Sequence, residues 1–313
     1  MTDTILILST SEPMLIELAT WANKIKTESQ QIALLPFISN QSLDWKTFGV
    51  DIVFNFEKYE EQFDSSTFVS IIEKIKSDEN LNLKLVMVGN LVLDREIASR
   101  LAIRMGGHCI LGANNIQNSD SGYKITRPVF GGQYVDEQLL TTELSVVGIT
   151  PRAIDIETFD KGPEIKTKTL PSLSSKVSIV KIEPVPKKDT ASLGEAQVVV
   201  GVGRGFKAKE DLQMAYDIAA LYNAPVGTTR TLTEKGWFEE ADVIGLTGSE
   251  IFPVLYLAFG LSGQPQHSIG ITKSQLVVGI NTDKDAPLLE YADYFIVDDI
   301  YKVLPILKEK LKK

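Results

Sequence analysis

Short β-rich runs alternate with stretches of helical periodicity through the first part of the chain, which is the pattern of a parallel α/β sheet. Thr4 to Leu8 reads as a buried strand, and Ile32 to Leu35, Asp51 to Phe56 and Leu85 to Val88 read as further strands. Pro13 suits the first turn of a helix running to Lys26, because the N–H it lacks is one that a helix start leaves unbonded. Phe68, Ile71, Ile72 and Ile75 fall on one face, so the spacing predicts an amphipathic helix from Asp64 to Lys76 with Asp64 as its cap. Another helix, Asp94 to Met105, ends at Gly106-Gly107. From Tyr123 to Ile149 the pattern changes to extended segments around Gly131-Gly132 that look antiparallel.

Between Asp160 and Ser192 Lys, Ser, Thr and Pro dominate, and four prolines break any long helix, although the run Val177 to Ile182 could be a strand. A domain boundary is expected near Asp189, giving domains 1–189, with a linker from about 160, and 190–313. The second domain opens with a buried strand inside Gln197 to Phe206 that runs into a glycine loop. A helix from Lys209 to Tyr222 follows, with Leu212, Ala215, Ala219 and Tyr222 on one face. Val243 to Gly245, Val254 to Phe259, Leu276 to Ile280 and Tyr294 to Val297 read as strands, and Tyr301 to Lys312 as a closing helix. The whole predicts an α/β protein of two Rossmann-like domains. The N-terminal one carries added antiparallel strands, and the C-terminal one is doubly wound and nucleotide-binding.

Composition narrows the classes without choosing among enzymes and carriers. The 313 residues are 43% hydrophobic and 23% charged, ordinary globular usage. A net charge of −9 lacks the basic footprint of a nucleic-acid binder. One cysteine, Cys109, allows no internal disulfide and fits a reducing, cytoplasmic setting. His108 and His267 with that one thiol cannot build a zinc site unless carboxylates complete it. Met1-Thr-Asp-Thr carries no basic region ahead of the apolar stretch, and no apolar run approaches the roughly 20 residues of a membrane span.

Ligands of doubly wound sheets bind outside the carboxyl ends of the strands, so the residues there carry the functional reading. They are Gly201-x-Gly203-Arg204-Gly205, then Thr228-Thr229-Arg230, Leu246-Thr247-Gly248, the segment Gly260 to His267, Asn281, and Asp298-Asp299. The first is not the Gly-x-Gly-x-x-Gly fingerprint. It reads either as backbone that lets a phosphate or sugar approach beside a permanent cation, or as a plain glycine turn with a surface arginine. The five polar strand ends that follow the glycine loop converge and favour a binding rim. Gly260 to His267, placed before a helix, would offer N–H groups to an anion. A lone histidine is more often packed and hydrogen-bonded than functional, but Ser262, Gln264 and Gln266 beside His267 weigh toward function. No Gly-x-Ser-x-Gly elbow frames Ser262, and no ATP-hydrolysing phosphate loop is present, so the rim looks built to hold a nucleotide-like ligand and not to process one.

The stretch 193–313 resembles the cofactor-binding domain of the electron transfer flavoprotein alpha (large) subunit. The resemblance rests on Gly203-Arg204-Gly205, Thr229-Arg230, Gly236-Trp237 and Thr247-Gly248. It continues through Leu255 to Gly263, Gln266-His267, Gly279-Ile-Asn281, Asp285-Ala-Pro287, Ala292-Asp-Tyr294 and Asp299. The N-terminal domain resembles the family through Arg100-Leu-Ala and Arg127-Pro-x-Phe-Gly-Gly132. The resemblance implies FAD, a beta subunit completing a heterodimer, and electron carriage without substrate turnover of its own. Electrons would pass from flavin dehydrogenases, such as the acyl-CoA dehydrogenases of fatty acid oxidation, to a membrane quinone oxidoreductase. The FAD-contacting positions it implies are Arg204, Thr229, Arg230, Ile244, Gly245, Leu246, Thr247, Ser262, Gly263, Gln264, Pro265, Gln266, His267, Asn281, Asp299 and Ile300. Arg230, Thr247 and His267 would lie near the isoalloxazine ring, and Asn281 and Asp299 toward the adenosine half. Arg230 and His267 would then favour the reduced flavin anion by charge alone.

Three departures from the family pattern stand out. Its usual Val-Gly-Gln-Thr is Ile244-Gly-Leu-Thr247, its Ser-Gly-Ala-Ile-Gln-His is Ser262-Gly-Gln-Pro-Gln-His267, and its Thr-Val-Arg-Pro appears as Ile149-Thr-Pro-Arg152 with the last pair reversed. Pro265 thereby removes one backbone donor. The alternatives are an NAD-using enzyme on a related nucleotide-binding fold, which would need an acid, base or lysine near the nicotinamide, and a cofactor-free assembly subunit.

Overall fold

The computed structural model describes residues 2–37, 43–56, 64–130, 132–159, 166–170, 180–181 and 191–312. The chain divides into two compact units, Met1–Glu183 and Pro184–Lys313. The expected boundary residue Asp189 lies outside the described residues.

The first unit runs β1 (Asp3–Ser9), α1 (Glu12–Ile25), β2 (Gln30–Pro36), β3 (Ile52–Phe56), α2 (Ser65–Asp78), β4 (Asn82–Gly89), α3 (Val92–Met105) and β5 (His108–Ala113). It continues with β6 (Asn115–Ser119), β7 (Gly122–Val129), β8 (Tyr134–Leu140), β9 (Ser145–Ile149) and β10 (Lys166–Leu170). Seven of these strands form a sheet in the order β10-β3-β2-β1-β4-β9-β5, parallel throughout. Alternation along β1 sends Ile5 and Ile7 to the face covered by α1, and Leu6 and Leu8 to the face covered by α2 and α3. Each such fully buried side chain is worth roughly 1.5–3 kcal/mol. Helix α2 forms as its spacing predicts: Phe68, Ile71, Ile72 and Ile75 are buried, and the Asp64 carboxylate accepts from the N–H groups of Ser66 and Thr67. Gly106 ends α3 in the left-handed conformation, at φ 69°.

The antiparallel expectation for 123–149 needs correction at its end. β6, β7 and β8 do form an antiparallel sheet, and its Ile116, Tyr123, Ile125 and Leu140 join the core beneath α1. The following segment, Ser145–Ile149, instead returns to the parallel sheet between β4 and β5. The Lys- and Thr-rich stretch assigned to a linker also contains β10, which pairs with β3. Of the run Val177 to Ile182, only Val180 and Lys181 are described, and neither is in a strand.

The second unit contains β11 (Val198–Val202), α4 (Gln213–Ala220), β12 (Val226–Thr228), α5 (Arg230–Glu234), β13 (Leu255–Phe259), α6 (Pro265–Ser268), β14 (Leu276–Asn281), β15 (Tyr294–Val297) and α7 (Ile300–Leu311). Its parallel sheet has the order β12-β11-β13-β14-β15. Both faces are covered: Val200, Val202, Leu257 and Phe259 point to one apolar cluster, and Val199, Tyr256 and Ala258 to the other. The helix expected from Lys209 begins as a 3₁₀ turn, Glu210–Leu212, before α4, and Tyr222 lies beyond it, 40% exposed. Ile218 takes the buried place that Tyr222 was expected to fill. Val243–Gly245 is not a strand of the sheet. Its residues make only isolated bridges, Val243 to Thr228 and Ile244 to Ser249.

Candidate functional site

In an open parallel sheet the ligand crevice lies at the carboxyl ends of two neighbouring strands whose onward connections run in opposite directions. The first unit has this point between β1 and β4, and its own side chains fill it. Asp94, in the first turn of α3, is fully buried there and accepts from Ser9 Oγ at 2.6 Å, the Thr10 N–H at 3.0 Å and Thr10 Oγ1 at 3.1 Å. Burial pushes its carboxyl above the usual range, against those donors. A carboxylate of the protein thus uses the donors that an anionic ligand would need.

The second unit has its reversal between β11 and β13, and there the chain leaves an open cleft of about 670 Å³. Four strand ends supply its walls: Arg204 and Gly205 after β11, Thr229 to Thr231 after β12, Gly260 to Gln264 with Gln266 and His267 after β13, and Asn281 with Asp283 at the end of β14. Val243, Ile244 and Thr247, from the connection into β13, complete it. Close backbone packing builds this geometry. A Cβ on Gly205 would lie 2.6 Å from the Gly260 Cα, and the Gly205 N–H donates to the Gly260 carbonyl at 2.8 Å. The glycines therefore bring two loops together while Arg204 stays at the cleft. Asn281 donates from Nδ2 to the Leu261 carbonyl at 2.8 Å, and Ser268 Oγ donates to the Gly263 carbonyl at 2.6 Å, so the Gly260–His267 loop is pinned from two sides.

Two guanidiniums, Arg204 and Arg230, and one carboxylate, Asp283, line these walls. The Arg230 side chain is 53% exposed and makes only loose ion pairs, 3.8 Å to Glu234 and 4.0 Å to Glu240, which leaves its donors available to a ligand. His267 differs from both. It is 5% exposed; its Nδ1 lies 3.1 Å from the Ile244 carbonyl and its Nε2 lies 2.8 Å from Tyr256 Oη. Burial lowers its pKa to about 4, with the Ile244 carbonyl acting in the opposite direction. The imidazole expected beside the ligand is therefore neutral at neutral pH, because desolvation outweighs the carbonyl beside it.

Of the positions singled out from sequence, Arg204, Thr229, Arg230, Ile244, Thr247, Ser262, Gly263, Gln264, Gln266, His267 and Asn281 come together on the cleft. Gly245, Leu246, Pro265, Asp299 and Ile300 do not line it. Gly245 is buried under the backbone of Gln266 and His267, and the Leu246 N–H donates to the Gln266 carbonyl at 2.7 Å while its side chain is 64% exposed. Pro265 starts α6, a single turn of four residues, so the expected donor array at a helix start shrinks to one turn. Asp299 caps α7 by accepting from the Tyr301 N–H at 3.0 Å, and Ile300 is buried in the core beneath. Four strand ends, those of β11, β12, β13 and β14, thus meet at the cleft; the end of β15 does not line it, and the Val243–Gly245 segment contributes as a loop wall. Sequence reading missed Thr231, Asp283 and, behind the wall, Tyr256. Asp283 carries a local signal in the spaced carboxylates of Asn281-Thr-Asp-Lys-Asp285, whereas Tyr256 sits inside an apolar strand run that gives none.

Residues 192–272 match the electron transfer flavoprotein FAD-binding domain, and residues 46–178 match the electron transfer flavoprotein domain. The electron transfer flavoprotein subunit alpha of Bacillus subtilis strain 168 is 30% identical over 237 residues, 75% of this chain and 73% of that one. The chain belongs to the electron transfer flavoprotein alpha-subunit family. The alpha subunit of Thermoanaerobacterium thermosaccharolyticum is 29% identical over 290 residues, covering 88% and 85% of the two chains. Protein FixB of Escherichia coli O7:K1 is 31% identical over 231 residues, covering 73% and 74%. The second unit is thus the FAD-binding domain of an electron transfer flavoprotein alpha subunit. Its cleft suits that cofactor: guanidiniums match a pyrophosphate, hydroxyls and amides match ring edges and ribityl hydroxyls, and the volume is that of a small-molecule site. No group of three or more metal-ligating side chains occurs among the described residues. No helix among them is long and apolar enough to cross a membrane.

Proposed function

We propose that this chain holds FAD in the cleft between the ends of β11 and β13 and works as the alpha subunit of a heterodimeric electron carrier. The observation that carries the reading is the convergence of the family's FAD-contacting positions, Arg204, Thr229, Arg230, Thr247, Ser262, Gln266, His267 and Asn281, on one cleft. FAD supplies the redox chemistry when bound. The chain's own residues would bind and orient it: Arg204 and Arg230 as permanent cations, Thr229, Thr247 and Ser262 as hydroxyl partners, and Asn281 as an amide already fixed by Leu261. Among the described residues the cleft offers no buried acid or lysine of the kind a nicotinamide-dependent enzyme needs, and the one histidine among them has hydrogen-bond partners within the protein at both nitrogens. That favours a carrier. A beta subunit would complete the heterodimer, with electrons arriving from flavin dehydrogenases such as acyl-CoA dehydrogenases and leaving to a membrane quinone oxidoreductase, in the cytoplasm.

Coexpression with a beta-type subunit, followed by release and identification of the cofactor, tests this reading. The expected result is FAD in the heterodimer, with Arg204→Ala and Arg230→Ala each weakening its retention in a salt-dependent way. Release of NAD, or failure to take up FAD on reconstitution with the partner, would sink it.

A further inference from the structure

We propose that Asp283 is a specificity-determining residue of the FAD site, accepting hydrogen bonds from the ribose hydroxyls of the adenosine half. The proposal rests on the placement of FAD in this cleft. Charge is sorted along the sheet: Arg230 follows β12, Arg204 follows β11, and Asp283 stands just beyond the end of β14. Strand order puts β11 and β13 between β12 and β14, so the two outer strands are three spacings, or about 14 Å, apart. A pyrophosphate is negative and belongs with the guanidiniums, so the group that meets Asp283 is a neutral, donor-bearing part of the cofactor. FAD has such a part at each end. The isoalloxazine ring gains negative charge on reduction, which a guanidinium favours and a carboxylate opposes, so the ring belongs on the Arg230 side and the adenosine on the Asp283 side. There the ribose offers two adjacent hydroxyl donors to a group that can only accept.

The carboxylate is held ready for that contact. Asn281 Oδ1 accepts from the Asp283 N–H at 3.0 Å, and Asn281 Nδ2 donates to the Leu261 carbonyl at 2.8 Å, which ties the turn after β14 to the loop after β13. Asp283 Oδ1 accepts from the Asp285 N–H at 2.9 Å, so the side chain is restrained as well as the backbone. No ion pair neutralises it among the described residues, and its second oxygen is left to a ligand. An acceptor already fixed costs the ligand less than one it must order on binding. Asp283 is exposed, so water competes for the contact and its worth is that of a single hydrogen bond at a wet site. The same negative charge repels a phosphate carried on that ribose, so the site selects a dinucleotide whose adenosine diol is unmodified.

An FAD analogue whose adenosine ribose lacks the 2′-hydroxyl isolates this contact. Titrated into the deflavinated heterodimer and followed by flavin fluorescence, the deoxy analogue should bind roughly tenfold more weakly than FAD. In Asp283→Ala the affinity for FAD should fall by a similar factor and the preference for FAD over the analogue should vanish. Asp283→Asn keeps an acceptor for the Asp285 N–H, and its preference should fall too, which keeps the test open should Asp283→Ala not fold. Damage to the turn alone would weaken both ligands alike and leave the preference intact, so the ratio of the two affinities separates recognition from structure. An undiminished preference in either folded variant overturns the proposal. Equal binding of the two ligands by the wild type also overturns it, while leaving FAD in the cleft. A wild-type heterodimer that takes up neither ligand refutes the placement of FAD itself, and the proposal falls with it.

Discussion

Acid should loosen the second unit through His267 well before its carboxylates respond. In the unfolded chain His267 takes a proton at its ordinary value of 6.5, whereas in the folded unit burial delays protonation to about 4. Because the folded value is the lower one, the contribution to stability is fully present above pH 6.5. It falls as the pH drops from there to about 4, and is flat below. The fall from 6.5 to about 4 is worth about 3 kcal/mol at roughly 1.4 kcal/mol per pH unit, a large share of a typical domain's stability. Asp217, whose carboxyl is held below its usual 3.8 by Lys308, acts in a separate and lower window. Hydrogen exchange of the backbone over 255–281 in the full chain, corrected for the intrinsic exchange rate, measures the opening free energy of this region. It should drop by about 2–3 kcal/mol between pH 7 and pH 4.5, and His267→Gln should abolish that slope. A flat profile in the wild type, or the same slope in His267→Gln, would show that His267 is solvated and that its place behind the cleft wall is wrong.

Gly201→Ala should destabilise the protein by about 1–3 kcal/mol in urea unfolding, because the new methyl group meets Tyr256 Oη where no space exists. A neutral effect would mean that the tyrosine is seated elsewhere. Asp94→Asn should cost about 1–3 kcal/mol in the first unit, since an amide N–H would face donors from Ser9 and Thr10 that now share a carboxylate. An unchanged urea midpoint would show that these hydroxyls have other partners.

What could be read from sequence alone follows the strength of local signals. The strands near Thr4 and Leu85 were legible because parallel strands buried on both faces leave unbroken apolar runs, and β15 was legible because its edge strand is still all apolar or aromatic although largely exposed. Helix α2 was legible to its cap because an apolar face at spacings of three and one follows an aspartate. β10 was not, since an edge strand reading Lys-Thr-Lys-Thr-Leu carries no apolar alternation. β9 was taken for part of the antiparallel excursion because its place between β4 and β5 depends on pairing with distant strands, which the local pattern does not encode. The apolar triplet at Val243 misled for the opposite reason: it is buried as a loop wall and not as a strand. His267 was legible as a site residue but not in its charge, because that charge depends on how deeply the fold buries the ring, which the local sequence does not encode.

One architecture occurs twice in this chain, and only the second unit matches the FAD-binding domain, so the fold alone does not account for the cofactor site. Both sheets reverse their strand order beside the first strand, and in both the loop after that strand reaches the crevice. After β1 that loop is Ser9-Thr10-Ser11, and its donors are taken by Asp94 from the start of α3. After β11 it is Gly203-Arg204-Gly205, whose glycines lie on Leu261 and Gly260, so that the loop packs through its backbone and sets Arg204 on the cleft. A carboxylate at the reversal point closes a crevice to anions, and an arginine on the cleft opens one. The choice between the two is made by a few residues at strand ends, because the sheets that carry them share one strand order around the reversal point.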